Sequence, residues 1–194
     1  MTTLVAYASR HGATRGIAER IGNVLACEGI EARVEPVEAV DRVDGYDAFV
    51  VGSAVYLGEW LGDATTFVRL HQDLLASRPV WLFSSGPVGP GRTDDKGRDV
   101  LELSRPRDFE EFADSIGPRD ERVFFGAYDP DAEPIGVVER LGAVFARWVP
   151  DVREALPAGD FREWSEIDAW AQGIARELRD LGVGTSPTVA GTGS

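Results

Sequence analysis

Short apolar runs alternate with longer amphipathic stretches along most of this chain. Leu4-Val5-Ala6-Tyr7-Ala8, Asp47-Ala48-Phe49-Val50-Val51-Gly52-Ser53 and Pro79-Val80-Trp81-Leu82-Phe83-Ser84 are continuous apolar runs of strand length. Runs of this kind mark strands covered on both faces. Glu31-Ala32-Arg33-Val34-Glu35 alternates instead, which predicts a strand at the sheet edge with one face open. Arg122-Val123-Phe124-Phe125-Gly126-Ala127 predicts a fifth strand. Helices are expected from near Arg15 to Glu28-Gly29, over Leu61 to Leu75 and over Arg107 to Ser115. Two more follow the last strand. Ile135 to Val149 carries Val138, Leu141, Val144, Phe145 and Trp148 at helical spacing, and Trp164 to Leu181 sets Ile167, Trp170, Ile174 and Leu178 on one side. Strands alternating with helices predict an α/β class in three layers, a parallel sheet between two helical layers. Five strands need only one closing helix, so the C-terminal region carries an extra one. Residues 1–181 read as a single domain. Residues 182–194, rich in Gly, Ser, Thr and Pro, read as a disordered tail.

Composition narrows the function classes. A chain of 194 residues can bury a sizeable core. Its apolar runs are too short to span a bilayer, and its start lacks the basic and apolar pattern of a signal peptide. The expected location is cytoplasmic, with no stable membrane insertion. Cys27 is the single cysteine and is expected to pack inside the first helix, which excludes an internal disulfide or a multi-cysteine metal site. His11 and His71 are far apart, and no metal site is predicted. The net charge of -13 argues against nucleic acid as a partner and fits a basic protein face. Lys96 is the only lysine, which argues against lysine-based chemistry.

The chemistry gathers at three strand ends. The first strand runs through Ser9-Arg10-His11-Gly12-Ala13-Thr14 into a helix. Outward-facing amides at a helix start, with hydroxyls beside them, form an anion site suited to phosphate. The loop lacks the three spaced glycines of a dinucleotide fingerprint and the lysine of a nucleotide-triphosphate loop, which points to a mononucleotide. The third strand ends in Gly52-Ser53-Ala54-Val55-Tyr56-Leu57-Gly58-Glu59-Trp60, where small residues and two aromatics could flank a planar ring. The fourth ends in Ser84-Ser85-Gly86-Pro87-Val88-Gly89-Pro90, whose Gly-Pro turns allow close approach to the same ring. In an open parallel sheet, ligands sit beyond such carboxyl ends. The long connection from Gly86 to Pro106, with its Asp94-Asp95-Lys96-Gly97-Arg98 run, reads as a loop and is a candidate lid or partner contact.

Ser9, Gly12 and Thr14 resemble the phosphate-binding loop of the flavodoxin family, with His11 in place of that loop's central hydroxyl. Gly52 to Trp60 resembles the family's second flavin loop, and Ser84-Ser85-Gly86-Pro87 stands where the third belongs. The resemblance covers about Thr2 to Ala127. It implies a flavodoxin-like sheet of order 2-1-3-4-5 holding FMN without a covalent bond. Ser9, His11, Gly12, Ala13 and Thr14 would surround the phosphate. Ser53, Ala54, Val55, Tyr56, Leu57 and Gly58 would run along the flavin, with Tyr56 or Trp60 as its aromatic cover. Ser84, Ser85, Gly86 and Pro87 would complete the site. Glu59, in the ring loop, is expected to lower the flavin's second one-electron potential. No side chain is assigned as an acid–base catalyst.

The C-terminal third resembles the menaquinone-dependent protoporphyrinogen oxidases more narrowly, through Gly126-Ala127-Tyr128 and Asp160-Phe161-Arg162-Glu163-Trp164. This chain is more acidic there than that group, with Arg140, Arg147 and Arg153 as the counterweight. The leading expectation is an FMN-binding redox protein that passes electrons to a partner protein or a quinone. The oxidase is the alternative, and a flavodoxin-fold module that binds partners without redox chemistry is a third. A phosphate-receiving signalling domain would need acidic residues where Ser9-Arg10-His11 and Gly52-Ser53 stand. A homodimer is left open as a partner arrangement.

Overall fold

A computed structural model describes residues 2–89, 91–128 and 158–182. The expected helix over Ile135 to Val149, the arginines at 140, 147 and 153, and residues 183–194 lie outside the described residues. Strand β1 (Thr2–Ala8) leads to helix α1 (Ala13–Cys27) and then to β2 (Glu31–Pro36). A one-turn 3-10 helix (Val37–Ala39) precedes β3 (Ala48–Tyr56). A short strand β4 (Glu59–Trp60) doubles back on β3. Helices α2 (Gly62–Leu70) and α3 (Gln72–Ala76) lead to β5 (Val80–Ser85). Helices α4 (Val100–Leu103) and α5 (Asp108–Ile116) precede β6 (Asp120–Phe124). Two short strands, β7 (Ala127–Tyr128) and β8 (Gly159–Asp160), pair antiparallel, and α6 (Trp164–Asp180) closes the fold.

The parallel sheet runs β2-β1-β3-β5-β6, with β4 bonded to β3 outside that path. Counted as parallel strands alone, this is the expected 2-1-3-4-5 order. The period of two explains the layers. Leu4, Ala6, Phe49, Val51 and Leu82 face one side and pack beneath α2, α3 and α5 with Phe109 and Phe112. Val5, Val50, Trp81 and Phe83 face the other and meet α1 and α6 through Ile17, Ile21, Leu25, Ile167, Trp170 and Ile174. Each fully buried Val, Leu, Ile or Phe side chain among these contributes about 1.5–3 kcal/mol.

Several elements depart from the sequence reading. The helix expected from Leu61 to Leu75 is two helices. Its hydrogen bonds continue from the His71 amide to Phe67 and from the Leu75 amide to His71, so the interruption is a bend, with the His71 ring packed edge-on against Phe67. The loop from Gly86 to Pro106 contains α4, because the Asp99 carboxylate caps the amides of Leu101 and Glu102. Within it, Asp94 accepts from the amides of Lys96 and Arg98 and folds that run into a tight turn. The fifth strand begins at Asp120 and leaves the sheet after Phe124, since the Gly126 amide turns aside to the Pro87 carbonyl. Cys27 is exposed. The buried stripe of α1 passes through Ile17, Ile21 and Leu25, and a residue two positions beyond Leu25 points away from it. Among the described residues, no helix is long and apolar enough to cross a membrane.

Candidate functional site

Strand register brings the three loops together. Ala8 lies beside Ser53, Ser53 beside Ser84, and Ala54 beside Ser85. The carboxyl ends of β1, β3 and β5 therefore form one edge, at the β1/β3 point where strand order reverses.

Gly12 opens α1 in the left-handed region at φ 82°, a conformation that a side chain would disfavour. It offers no side-chain cap, and no acidic residue sits in the first turn. The first amide bonded back within the turn is that of Gly16, to the Gly12 carbonyl at 3.0 Å, so the amides of Ala13, Thr14 and Arg15 precede any helical partner. The Ser9 hydroxyl is buried without a hydrogen-bond partner among the described residues. Unassigned donors and an uncapped helix start at one place fit a phosphate group. His11 is exposed.

Thr14 is fully buried, and its hydroxyl meets that of Ser85 at 2.6 Å. That contact ties the first loop to the third. The Thr14 side chain thus helps hold the loops in register, and its backbone amide belongs to the unpaired first turn of the helix. Two other hydroxyls are committed as well. Ser53 accepts the Leu61 amide at 3.0 Å and donates to the Ala54 carbonyl at 2.9 Å, while Ser84 accepts the Trp60 indole N–H at 2.7 Å. These hydroxyls brace the site from beneath.

The second loop is a β3–β4 hairpin whose tip is Leu57-Gly58, both at positive φ (54° and 81°). Leu57 is 98 % exposed. Trp60, expected as an aromatic cover, is buried, with its ring 5.6 Å from Phe109 and 5.3 Å from Phe112. Its place as the buried half of the β4 pair turns it into the core, which leaves Tyr56 as the outward aromatic. The Arg10 guanidinium lies over the Tyr56 ring at 5.3 Å and joins the first two loops. The exposed Glu59 carboxylate faces Arg107 at 3.7 Å, so its charge is partly offset. Gly86 and Pro87 are half-buried and bonded toward β6: the Gly86 amide donates to Phe124, and Pro87 accepts from Gly126. Ala54 and Val55, at the end of β3, are half-buried against the core, and Val55 lies close to Gly86 of this third loop.

Sequence reasoning missed three residues around the site. Asp108 accepts the Trp60 amide at 2.8 Å, and the Arg107 amide donates to the Gly58 carbonyl at 3.0 Å, so the start of α5 anchors the hairpin. Arg162 reaches across from the C-terminal segment to the Ala13 carbonyl at 3.3 Å. Its guanidinium holds the Asp160 carboxyl below the usual carboxylate range. An acidic residue at a helix start was the available signal for Asp108. Arg162 lies 149 positions from its acceptor, and the motif that contains it gave no sign of that contact.

The comparisons agree with this architecture. The chain shares 31 % identity over 86 residues with the protoporphyrinogen IX dehydrogenase [quinone] of Escherichia coli K12, a match covering 43 % of this chain and 48 % of that protein. The chain thus spans about half the length of the curated relatives it matches. A flavodoxin from the domain Archaea superposes with a TM-score of 0.55 at 17 % identity, covering 92 % of this chain and 99 % of that one. Oxidised flavodoxin 2 from Bacillus cereus gives 0.53 at 21 % identity, covering 93 % and 99 %. The family model described as a flavodoxin domain matches residues 4–131. The chain belongs to the flavodoxin domain family, whose cofactor is FMN.

Proposed function

We propose that this chain is a redox protein that holds FMN at the edge formed by β1, β3 and β5 and passes electrons through it. The observation that carries this reading is the buried Ser9 hydroxyl without a partner, set beside the uncapped start of α1. Ser9 and the amides of Ala13, Thr14 and Arg15 would hold the phosphate, with Gly12 supplying the turn. Tyr56 and the hairpin backbone through Gly58 would flank the ring, and Gly86-Pro87 would close its far side. When bound, FMN supplies one- and two-electron transfer. The residues of this chain bind, orient and shield it.

Titration of apoprotein with FMN, riboflavin and FAD tests the reading. FMN should bind at least tenfold more tightly than riboflavin, because charge-assisted phosphate bonds contribute about 1.5–3 kcal/mol each. Equal affinity for FMN and riboflavin would remove the phosphate site. The match to the quinone-linked dehydrogenase favours a second reading, oxidation of a porphyrinogen with a quinone as acceptor. Anaerobic mixing with protoporphyrinogen and a quinone analogue decides between the two. Bleaching of flavin absorbance, followed by recovery on adding the quinone, would support the oxidase. An unchanged spectrum would leave electron delivery to a protein partner.

A further inference from the structure

Arg162 is placed with unusual care for a residue so far from the loops in sequence. The β7–β8 pair returns the chain to the site edge, and the Phe161 amide donates to the Gly126 carbonyl at 3.1 Å. The next residue lays its guanidinium along the first turn of α1. Asp160 grips it twice, at 2.7 and 2.6 Å, and Trp164 lies beneath it at 4.4 Å from the ring centre. Its remaining nitrogen donates to the Ala13 carbonyl, and the side chain is only 16 % exposed. A methyl group at Gly16 would collide with that nitrogen. Glycine is a poor helix former, yet α1 carries one where the guanidinium needs the room.

The bond to Ala13 has a chemical consequence. The Ala13 carbonyl and the Thr14 amide belong to one peptide unit. A cation on the carbonyl polarises that unit and makes its N–H a stronger donor, as in any chain of linked hydrogen bonds. The Thr14 side chain is pinned on the other side by Ser85. The peptide is therefore held and polarised from behind, and its N–H faces the helix start.

We propose that Arg162 is a positioning residue for phosphate recognition, acting through the Ala13–Thr14 peptide and making segment 159–164 the back wall of the phosphate loop. This rests on the reading of Ser9 to Thr14 as a phosphate site. An ion pair serving only to dock the C-terminal segment would affect every ligand of the fold alike. An Arg162 acting through the Thr14 amide affects phosphate alone.

The experiment measures FMN and riboflavin affinity for wild type, Arg162→Gln, Arg162→Lys and Gly16→Ala. Wild type is measured first: no preference for FMN over riboflavin ends the site reading, and this inference with it, before any variant is made. Given that preference, Arg162→Gln should weaken FMN about tenfold and leave riboflavin unchanged. Arg162→Lys should fall between, since lysine keeps the charge but loses the forked grip on Asp160. Gly16→Ala improves helix propensity and displaces the guanidinium, so it should also weaken FMN selectively. It covers the case in which the Arg162 variants do not fold. Amide NMR gives an independent readout: inorganic phosphate should move the Thr14 amide proton downfield in wild type, and less in Arg162→Gln. Equal losses for both flavins, or no loss in Gly16→Ala and Arg162→Gln, overturns the proposal. So does a Thr14 shift identical in both proteins.

Discussion

The two ends of the proposed FMN site are built in opposite ways. At the phosphate end, everything except the donors is tied down. Thr14 is locked to Ser85, Gly12 sets the turn, and Arg162 backs the first peptide of α1. At the ring end, the hairpin is fixed at its base through Ser53, Asp108 and the buried Trp60, and at its tip by one bond from the Arg107 amide to the Gly58 carbonyl. Its tip stands in solvent with a leucine at positive φ. A phosphate changes neither charge nor shape during electron transfer and can be met by a rigid cradle. A flavin ring changes both, and a tip that can yield suits it. On the proposed FMN reading, recognition and adjustment would fall to different loops.

The largest effect should come from removing the support on which the ring end stands. Trp60→Ala deletes a buried indole packed on Phe109 and Phe112 and leaves the Ser84 hydroxyl without that donor. The expected loss is about 3–5 kcal/mol of folding stability, read by urea denaturation. A loss below about 1 kcal/mol would mean that the hairpin does not depend on its base.

Next come paired changes at the phosphate end. Ser9→Ala should cost FMN about 1.5–3 kcal/mol of binding and spare both riboflavin affinity and stability. Thr14→Val should do the reverse. It strands the buried Ser85 hydroxyl and lowers stability by about 1–3 kcal/mol, with a smaller effect on FMN because the Thr14 amide stays in place. If Thr14→Val acts on FMN as strongly as Ser9→Ala does, the division between braced and donating hydroxyls fails.

This division also marks what could be learned from the chain alone. The two-sided core follows from local apolar runs, and the candidate loops from hydroxyls and glycines at their ends, while the strand order came only through the resemblance of those loops to the flavodoxin family. Thr14 and Trp60 lie where the loops meet, but the partners of their side chains were not legible. The same hydroxyl or indole can face a ligand or a neighbouring strand, and register decides which. The break of the last strand at Phe124 depends on the Gly126 amide finding Pro87, a contact across the fold. The hold of Arg162 on Ala13 is of the same kind.

At the ring end, Leu57→Gly should stabilise the protein slightly. A non-glycine residue at φ 54° costs about 1–2 kcal/mol, and Leu57 is too exposed to lose packing. Glycine's greater freedom in the unfolded chain offsets part of the gain, leaving about 0.5–1 kcal/mol in thermal unfolding. The phosphate end should respond oppositely: Gly12→Ala, at φ 82°, should lose stability by a similar amount. A destabilised Leu57→Gly would show that the tip is held by contacts and is not strained.

The smallest effect concerns pH and the back wall of the phosphate end. Hydrogen bonds from Arg162 hold the Asp160 carboxyl below its ordinary value of 3.8. A folded value below the unfolded one makes the carboxylate stabilising, fully so above the unfolded value. That contribution is lost as pH falls through the lower, folded value. The Asp160 side chain is 46 % exposed, so solvent screening limits the effect to under about 1 kcal/mol. Asp160→Asn should therefore be slightly less stable than wild type at pH 6, and the two should converge as pH drops well below 3.8. Denaturation midpoints of both proteins across that range check the sign. A gap of constant size would mean that Asp160 contributes shape and not charge, and that the charge of Arg162 is balanced from elsewhere.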